Sequence, residues 1–582
     1  MDKEFINWRV GDYNVVMKIE DRVCGSCKGR FTVPSDDVDF YTKISVPAPT
    51  WCPRCRQQRR YAWRNERVLY RRNCDLCGKS TVTIYSPNKP FKVYCPPCWW
   101  GDSWSALDYG RNFDFSKPFF PQWQELQLQV PRIALLAKTS VNSDYTNHAA
   151  NNKNCYLSYC VFDSENILYS SNVWKKASDC MDCAMLTEAG TLLYECIDSD
   201  RCYNCQFSSF LRDCSDCLYC YDCRGCQNCF LSYNLRNKQY CILNEEYTKE
   251  EYFVKIAEWK LSSYTVRREL WERYVALVNG QAIHKASEIE RSVNVSGSMI
   301  FNSKNVKNGF DVYTTEDSKN MTLVIDMKDS MDVYHVGFKS ELVYESHGLT
   351  HVYNVLFSHL SYDDSHLMYC DTCHNSENLF GCVGLKKVKH AIFNKQYSEE
   401  EYATLKTKIV EHMKTTGEYG EFFPPELSLF GYNETQGHVY MPMSREEALG
   451  KGYKWEEQVP GTFGKETLKP DQVPDSINDV TDSITKEILA CGQCGKNYNI
   501  VQPELELYRR MKVPLPRLCP DCRYRARIAL RPPRELFSSG CACTIPGHSH
   551  GDGQCLNVFE TPLSPKTKNI VYCEPCYQAE VV

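Results

Sequence analysis

The sequence predicts a mainly β protein with some α-helix: a duplicated parallel β-helix (β-solenoid) with helical caps, flanked at both ends by four-cysteine metal-binding modules. Three observations support this fold class. Dicysteine motifs recur with matched spacing at both ends of the 582-residue chain. In the middle, cysteines and short β-favouring runs recur at every twelfth position. Two stretches of that middle also align with each other at a constant offset of 150 positions.

The length, charge and composition of the chain limit the classes of protein to which it can belong. A chain of this length favours two to four domains, and its net charge of −5 argues neither for nor against a nucleic-acid partner. No run approaches the roughly 18 apolar residues of a membrane span, and the N-terminal segment MDKEFINWRVGDYNVV lacks the apolar core of a signal peptide. We therefore expect a cytoplasmic protein without membrane partners. In that compartment 34 cysteines favour metal ligation and buried thiols over disulfides.

Each end of the chain carries two CxxC motifs separated by 24 residues, followed by a second pair of dicysteine motifs. Two thiolates in a tight CxxC turn fit adjacent vertices of a tetrahedron, and two such turns complete a four-cysteine zinc site. Because thiolates fill all four vertices, the sites are predicted to be structural, and a binding energy of about 10 kcal/mol becomes folding energy. The predicted ligands are Cys24, Cys27, Cys52 and Cys55; Cys74, Cys77, Cys95 and Cys98; Cys491, Cys494, Cys519 and Cys522; and Cys541, Cys543, Cys573 and Cys576.

The fourth site departs from this pattern. Its sequence, CACTIPGHSHGDGQC, has a CxC motif and an inserted loop. His548, His550 or Cys555 is an alternative ligand there. A His-rich loop beside a metal is also compatible with an open catalytic position, and the alternative is a Gly-His loop without such a role. About four Zn²⁺ ions per chain are predicted.

The pattern C-x2-C … F … P-x-P-x-x-C-P-x-C-R resembles the zinc-ribbon domain family found in poorly characterised bacterial proteins. The resemblance covers roughly residues 20–100 and 488–580, under a third of the chain. It implies zinc and no particular reaction. By position it supports Cys24, Cys27, Cys52 and Cys55, and likewise Cys491, Cys494, Cys519 and Cys522.

The middle of the chain has a short internal repeat. Cysteine pairs begin at Cys202, Cys214 and Cys226, a constant step of twelve positions, and an earlier pair begins at Cys180. Short β-favouring runs separated by Asn, Asp, Ser and Gly turns at constant spacing indicate a β-solenoid. Because twelve residues per turn would make a very narrow tube, the pattern favours about twenty-two to twenty-four residues per coil.

The repeat is itself duplicated. LRNKQYCILNEEYTKEEY begins at Leu235, and LKKVKHAIFNKQYSEEEY begins at Leu385. Both copies end in a helix start, where Thr248 and Ser398 are good N-caps followed by acidic residues. The first helix is predicted to continue toward residue 278. Both helices are expected to cap the open ends of the solenoid halves, whose strand edges would otherwise be unpaired.

The central cysteines are predicted to be mainly packing residues. Aligned pairs are Cys217 with Leu367, Cys229 with Leu379 and Cys241 with Ala391. Leucine cannot replace a ligand, but it can replace a small buried hydrophobic residue. The alternative is a column of thiols that holds zinc or an iron–sulfur cluster. Its best candidates are Cys220 and Cys223, which are retained at Cys370 and Cys373.

Arginine is dense after each first zinc motif, as in RCRQQRRYAWRNERVLYRR, where only Glu66 opposes eight arginines. A dicysteine motif followed by a helix is the treble-clef arrangement, and arginines with interleaved aromatics suit nucleic acid. The alternative is that the arginines pair with the chain's own acids and that Trp63 and Tyr70 belong to the module core. The candidate nucleic-acid residues are Arg54, Arg56, Arg59, Arg60, Arg64, Arg67, Arg71, Arg72, Arg523, Arg525, Arg527 and Arg531.

No glycine-rich nucleotide loop, GxSxG, HExxH or catalytic triad is evident, and Asp363-Asp364 is expected in a turn rather than in acid/base catalysis. The sequence therefore predicts a zinc-binding, non-enzymatic scaffold that binds RNA, DNA or a ribonucleoprotein. The alternatives are a protein–protein interaction platform, and a metal carrier or redox enzyme that uses the central thiols. The oligomeric state stays open.

The predicted domain order places a tandem zinc module at each end. The boundaries are 1–100 for the first module, 101–150 for an aromatic-rich bridge, 151–280 and 281–454 for the two solenoid halves with their capping helices, 455–489 for a linker, and 490–582 for the second module.

Overall fold

The computed structural model describes residues 20–548 and 550–582. The segment used to predict the absence of a signal peptide lies within residues 1–19, outside that range. Across the described part of the chain, no helix combines the length and apolar composition that a membrane span requires. The protein is a mixed α/β structure with a large parallel sheet and cysteine clusters near both ends.

The α-helices of the described residues are α1 (Ser35–Lys43), α2 (Pro53–Tyr61), α3 (Pro96–Trp100), α4 (Phe119–Gln129), α5 (Lys249–Glu258), α6 (Tyr264–Gly280), α7 (Glu399–Thr416), α8 (Gln436–Tyr440), α9 (Arg445–Gly450), α10 (Gln502–Met511), α11 (Pro520–Ile528) and α12 (Glu574–Val581). Short 3₁₀ helices lie at Ala106–Tyr109, Pro425–Leu427, Tyr432–Glu434, Ile477–Asp479 and Asp482–Lys486.

Both terminal regions are built from small antiparallel hairpins and from helices that begin at a cysteine. Helices α1 and α10 lie between the first hairpin of each region and the first such helix. The hairpins pair Glu20–Val23 with Arg30–Val33, Tyr70–Asn73 with Ser80–Thr83, Leu489–Ala490 with Asn497–Tyr498, and Phe537–Gly540 with Val558–Thr561. The N-caps of α2, α3, α11 and α12 are Cys52, Cys95, Cys519 and Cys573. Proline follows in the first turn of each, where its missing N–H costs no helical hydrogen bond.

The large sheet contains fourteen strands in the described residues, nearly all parallel. Each residue pairs mostly with the one twelve positions further on, as in Lys304 with Glu316 and Val306 with Ser318. Four strands between residues 316 and 350 also close on one another in a ring. The strands are Ile289–Glu290, Gly297–Phe301, Lys304–Tyr313, Glu316–Ile325, Met327–Lys328, Met331–Val336, Ser340–Thr350, Tyr353–Leu356, His359–Tyr362, Ser365–Met368, Asp371–His374, Glu377–Phe380, Lys389–Ile392 and Lys395–Gln396.

The cysteine-rich stretch makes the same parallel ladder through single bridges, such as Tyr203 with Ser215 and Leu218 with Phe230. Its short strands are Ala137–Lys138, Ala149–Ala150, Tyr159–Val161, Ser171–Val173, Ala184–Leu186, Cys241–Ile242 and Glu245–Glu246. Two further parallel pairs join the middle to the ends: Val93–Tyr94 with Arg132–Ile133, and Ile283–Lys285 with Ile570–Tyr572.

The register shows that the chain returns beside itself at every twelfth position, so the expectation of a coil about twice as long is wrong. Left-handed backbone explains how so narrow a winding is possible. Asp213, Asp216, Tyr219 and Asp222 have φ values of 53°, 54°, 55° and 48°, so the chain turns after every third residue. Asn and Asp tolerate this conformation better than most residues, which accounts for their regular recurrence in the sequence.

Helices α5 and α7 follow the last turns of the two ladders. Each begins with a capping box, formed by Thr248 with Glu251 and by Ser398 with Glu401. The buried ring of Tyr252 lies 5.8 Å from that of Tyr240, while Tyr402 packs on His390 in the second copy. The predicted continuous helix after Thr248 is instead divided into α5 and α6, since residues 259–263 leave the helical conformation.

Helix α4 in the aromatic-rich bridge joins the N-terminal region to the large sheet. Phe119 and Trp123 are fully buried. The ring of Phe119 lies 5.1 Å from Tyr369, and Trp123 stacks on Phe423 at 4.1 Å. The aromatic density of the bridge therefore serves docking inside the protein.

Candidate metal centres

Four groups of cysteines have geometry that could hold metal ions. Within each group the four Sγ atoms lie within 4.8 Å of one another. A tetrahedral ion bound by thiolates at about 2.3 Å places its sulfur ligands about 3.8 Å apart. The groups are Cys24, Cys27, Cys52 and Cys55; Cys74, Cys77, Cys95 and Cys98; Cys491, Cys494, Cys519 and Cys522; and Cys541, Cys555, Cys573 and Cys576.

One Sγ···Sγ distance in each group matches this tetrahedral edge. The distances are 3.9 Å for Cys27–Cys52, 3.9 Å for Cys77–Cys95, 3.8 Å for Cys494–Cys519 and 3.9 Å for Cys555–Cys573. A disulfide requires about 2.05 Å, and every cysteine is a free thiol. The terminal cysteines therefore have the spacing of metal ligands and not that of disulfides.

The same hydrogen bond, from a backbone N–H to a sulfur atom, occurs in all four groups. The N–H of the helix-capping cysteine donates to the first cysteine of its group, as in Cys95 to Cys74 at 3.3 Å and Cys519 to Cys491 at 3.2 Å. Burial raises the pKa of the Cys74 and Cys491 thiols, but backbone N–H groups outweigh burial and bring both pKa values to about 7. Hydrogen bonds to the charged form explain this direction.

The fourth group corrects one predicted ligand. Cys555 lies with Cys541, Cys573 and Cys576, whereas the preferred ligand Cys543 lies in a different group with His548 and His550. The backbone N–H of Cys555 donates to the carbonyl of Cys543 at 2.9 Å, and the Sγ of Cys555 lies 3.9 Å from that of Cys573. The returning loop therefore places Cys555, and not Cys543, beside Cys573 in this group.

The sequence contains a signal for Cys555. The offset of 467 positions that aligns Cys74 with Cys541 increases to 478 after the inserted loop. At that offset Cys77 matches Cys555, and the CxxC motif at 95–98 matches that at 573–576. An alignment that allows for the inserted loop therefore selects Cys555, which the structure places in this group.

Comparisons of the chain with protein-family models, with curated proteins and with solved structures gave no match. The cysteine groups near both ends are compatible with zinc-ribbon-like modules on their geometry alone.

The arginines after the first metal motif are mostly inside the protein. Arg56 lies 2.6 Å from Asp332, and Arg60 lies 2.6 Å from Glu345, with all four side chains buried. Arg59 also pairs with Glu345, at 2.5 Å, and Arg64 with Glu66. Trp63 and Tyr70 are buried as well.

Helix α11 and the residues after it repeat this arrangement. Arg527 lies 2.8 Å from Asp182 and 2.9 Å from Glu195, and Arg523 lies 3.0 Å from Asp182. Arg531 pairs with Asp198 and Asp311.

These contacts favour the alternative, in which the arginine-rich segments pair with the chain's own acids. Six of the twelve candidates are buried and paired with the chain's own carboxylates: Arg56, Arg59, Arg60, Arg64, Arg523 and Arg527. Arg531 is half-buried and paired as well. Arg67 packs on Tyr524, and Arg72 is partly buried. Arg54, Arg71 and Arg525 remain exposed.

The two sets of ion pairs correspond residue by residue. Arg56 pairs with Asp332, and Arg523 pairs with Asp182. The two arginines are 467 positions apart, and the two aspartates are 150 positions apart. The aromatic contacts show the same offsets: Tyr41 packs 5.4 Å from Tyr344, and Tyr508 packs 5.8 Å from Tyr194. Through these matched contacts the N-terminal region docks on the second ladder and the C-terminal region on the first, and Arg531 also pairs with Asp311 of the second ladder.

The central thiols point into the ladder and bond to its backbone. Cys214, Cys217, Cys220 and Cys223 each follow a left-handed residue and are buried. The thiol of Cys214 donates to the carbonyls of Arg212 at 3.2 Å and Cys223 at 3.3 Å. Burial raises the pKa of the Cys220 and Cys223 thiols. These contacts suit small buried residues, whose S–H groups are weak donors.

Removing the best central candidates is therefore expected to leave the metal content unchanged. In the Cys220→Ala/Cys223→Ala variant, elemental analysis should give the same zinc per chain as the wild-type protein and no iron. Loss of an ion, or an iron-dependent colour that the variant lacks, would instead support a metal in the thiol column.

Asp363 and Asp364 occupy different environments. Asp363 is an exposed left-handed residue with φ of 59°, as expected for a turn. Asp364 is buried and accepts a hydrogen bond from the Ser376 N–H at 2.7 Å. Burial raises the pKa of Asp364 to about 8, so its neutral form is favoured in the folded protein.

The raised pKa of Asp364 predicts that the stability of the protein depends on pH. The folded pKa lies above the unfolded value, so the contribution of Asp364 to stability is fully present below about pH 4 and is lost as the pH rises to about 8. Asp364→Asn keeps the shape without the charge and is expected to reduce this loss, by a few kcal/mol at pH 8. Denaturant unfolding at pH 5 and pH 8.5 measures it; the same pH dependence in both proteins would contradict the assignment.

Proposed function

We propose that this chain is a zinc-stabilised, non-enzymatic scaffold: a duplicated β-solenoid held between two pairs of zinc-ribbon-like modules. The observation that carries this proposal is the set of four-cysteine groups with tetrahedral Sγ spacing. Thiolates select zinc over harder ions. Four protein ligands leave no coordination position for a substrate, which favours a structural role over catalysis.

The repeated contacts support the duplication. The same Arg–Asp pair and the same tyrosine pair occur in each half, at the offsets that align the two sequences. The same parallel register, with partners twelve positions apart, runs through both ladders. Each solenoid half then holds the zinc modules of the opposite terminus through buried ion pairs.

A cleft between the modules is the best-supported ligand site of the scaffold. It has a volume of about 550 Å³ and lies between α2, α11 and the large sheet. Arg54, Arg525 and Arg534 line it together with Tyr61 and Tyr440. Among the described residues Arg525 has no acidic partner within 4.0 Å, and Arg54 pairs only with Glu535.

The exposed Arg54 and Arg525 of this lining suit a single-stranded chain of phosphates and bases. Arginine binds phosphate through two parallel donors, and its planar guanidinium stacks on bases. Tyr61 is buried and Arg534 covers the ring of Tyr440, so the exposed arginines carry this chemistry. We therefore infer single-stranded nucleic acid as the ligand, bound in the cleft instead of along the buried arginine helices.

The test is binding of a fluorescent single-stranded RNA to the full-length protein at several salt concentrations. Binding should weaken steeply with salt, because phosphate contacts release counterions. Arg54→Glu/Arg525→Glu should reduce affinity at least tenfold, and the control Lys260→Glu/Arg268→Glu, on exposed positions of the capping segment, should not. Absence of binding at low salt, or equal binding by both variants, would favour a protein partner that nuclease does not release.

A further inference from the structure

The inserted loop of the fourth module brings together a second set of metal-ligand atoms. Cys543, His548, His550 and Cys576 each offer one ligand atom, and these atoms lie within 4.8 Å of one another. Cys576 also belongs to the neighbouring group with Cys541, Cys555 and Cys573. One sulfur atom is therefore shared by two complete sets of four ligands.

The position of His548 has the features of a metal ligand with a supporting carboxylate. Its Nδ1 lies 3.2 Å from the Cys543 Sγ, close to the edge of about 3.5 Å expected between nitrogen and sulfur ligands of one zinc ion. Its other nitrogen, Nε2, lies 3.6 Å from the Glu580 carboxylate. Metal-binding histidines usually donate their second N–H to such a partner, which fixes the ring orientation.

His550 supplies a second, independent observation. Both of its ring nitrogens are buried, and neither has a hydrogen-bond partner in the described part of the chain. A buried polar atom without a partner costs about 1–3 kcal/mol. A Cys543–His548 hydrogen bond alone would leave this cost unexplained, whereas an ion within the group would use one nitrogen of His550.

The loop sequence allows this arrangement. Gly547, Gly551 and Gly553 have φ values of 83°, 72° and 96°, and they turn the loop back toward α12. The corresponding part of the N-terminal module, between Cys74 and Cys77, has no such insertion. The insertion thus adds both histidines to a module that already has four cysteine ligands.

We propose that the fourth module is a two-ion centre in which the Cys576 thiolate bridges two divalent, zinc-like ions. Cys541, Cys555 and Cys573 complete the first ion, and Cys543, His548 and His550 complete the second. Both ions have four protein ligands, so the His-rich loop forms a closed site and not an open catalytic one. The second ion fastens the loop to α12 and goes beyond the four sites that the proposed function requires.

The experiment is zinc analysis of the dialysed full-length protein together with X-ray absorption at the zinc edge. The wild-type protein should contain five zinc ions and show a nitrogen shell. His548→Ala/His550→Ala and Cys543→Ser should each contain four, and the histidine variant should lose the nitrogen shell. Cys576→Ser should lose both ions of the centre, since it removes the bridge. The control His351→Ala/His366→Ala, at ladder positions outside the module, should retain five.

Four zinc ions in the wild-type protein, or an unchanged nitrogen shell in the histidine variant, would overturn the two-ion centre. Either result would leave the proposed scaffold intact, because the four cysteine groups would still account for the metal. A wild-type protein with fewer than four ions would instead overturn both.

Discussion

Cys494→Ser is expected to release one zinc ion and to unfold the first half of the C-terminal module. Cys494 lies 3.8 Å from Cys519 in its group, and three thiolates hold the ion much less tightly than four. Structural zinc contributes on the order of 10 kcal/mol to a small module. Because the N-cap of α11 is itself a ligand, losing the ion also loosens the helix that carries Arg523 and Arg527.

Elemental analysis and limited proteolysis would measure these two effects. New cleavage is expected around residues 491–528, together with one zinc ion fewer per chain. The matched control is Cys241→Ala, which removes a buried central thiol and should leave metal content and the cleavage pattern unchanged. A Cys494→Ser protein with full metal content and wild-type protease resistance would contradict a structural role for this site.

Asp332→Asn is expected to destabilise the protein by about 3–5 kcal/mol, because it leaves buried arginines without their counter-charge. Asp332 is fully buried, 2.6 Å from Arg56 and 3.4 Å from Arg60. Asp182→Asn should have a similar effect, since Asp182 holds the equivalent position against Arg523 and Arg527. Both variants should keep their full zinc content, which distinguishes this effect from loss of a metal site.

Equilibrium unfolding in denaturant would measure the loss. The control Asp329→Asn removes a partly exposed partner of Lys43 and should change the free energy of unfolding by less than about 1 kcal/mol. If Asp332→Asn proved as mild as this control, the buried ion pairs would not hold the module on the ladder.

The terminal cysteine groups could be predicted from sequence because their ligands are close in the chain and regularly spaced. The ion pairs of the arginines could not be predicted from sequence. Their partners Asp182 and Asp332 are left-handed residues with φ of 54° and 58°, so in sequence they look like the turn-forming aspartates of every other coil. Only docking of a distant module shows which aspartates face an arginine.

The twelve-residue register of the parallel ladder was obscured in the sequence by small irregularities of the repeat. Glu165 pairs with Ser178 and Ser178 with Thr191, two steps of thirteen positions, before the step returns to twelve at Thr191 with Tyr203. The longer spacing from Cys180 to Cys202 therefore joins two different columns of the ladder.

The docking of each terminal region on the ladder that is distant from it in sequence has a consequence for synthesis on the ribosome. Arg56 meets a carboxylate 276 residues downstream, and Arg527 meets one 332 residues upstream. The arginines of the N-terminal module therefore stay hydrated and without these carboxylate partners until more than half of the chain has been translated. Contacts so distant in sequence slow folding, and a nascent chain released before residue 345 would lack the carboxylates that complete its first module.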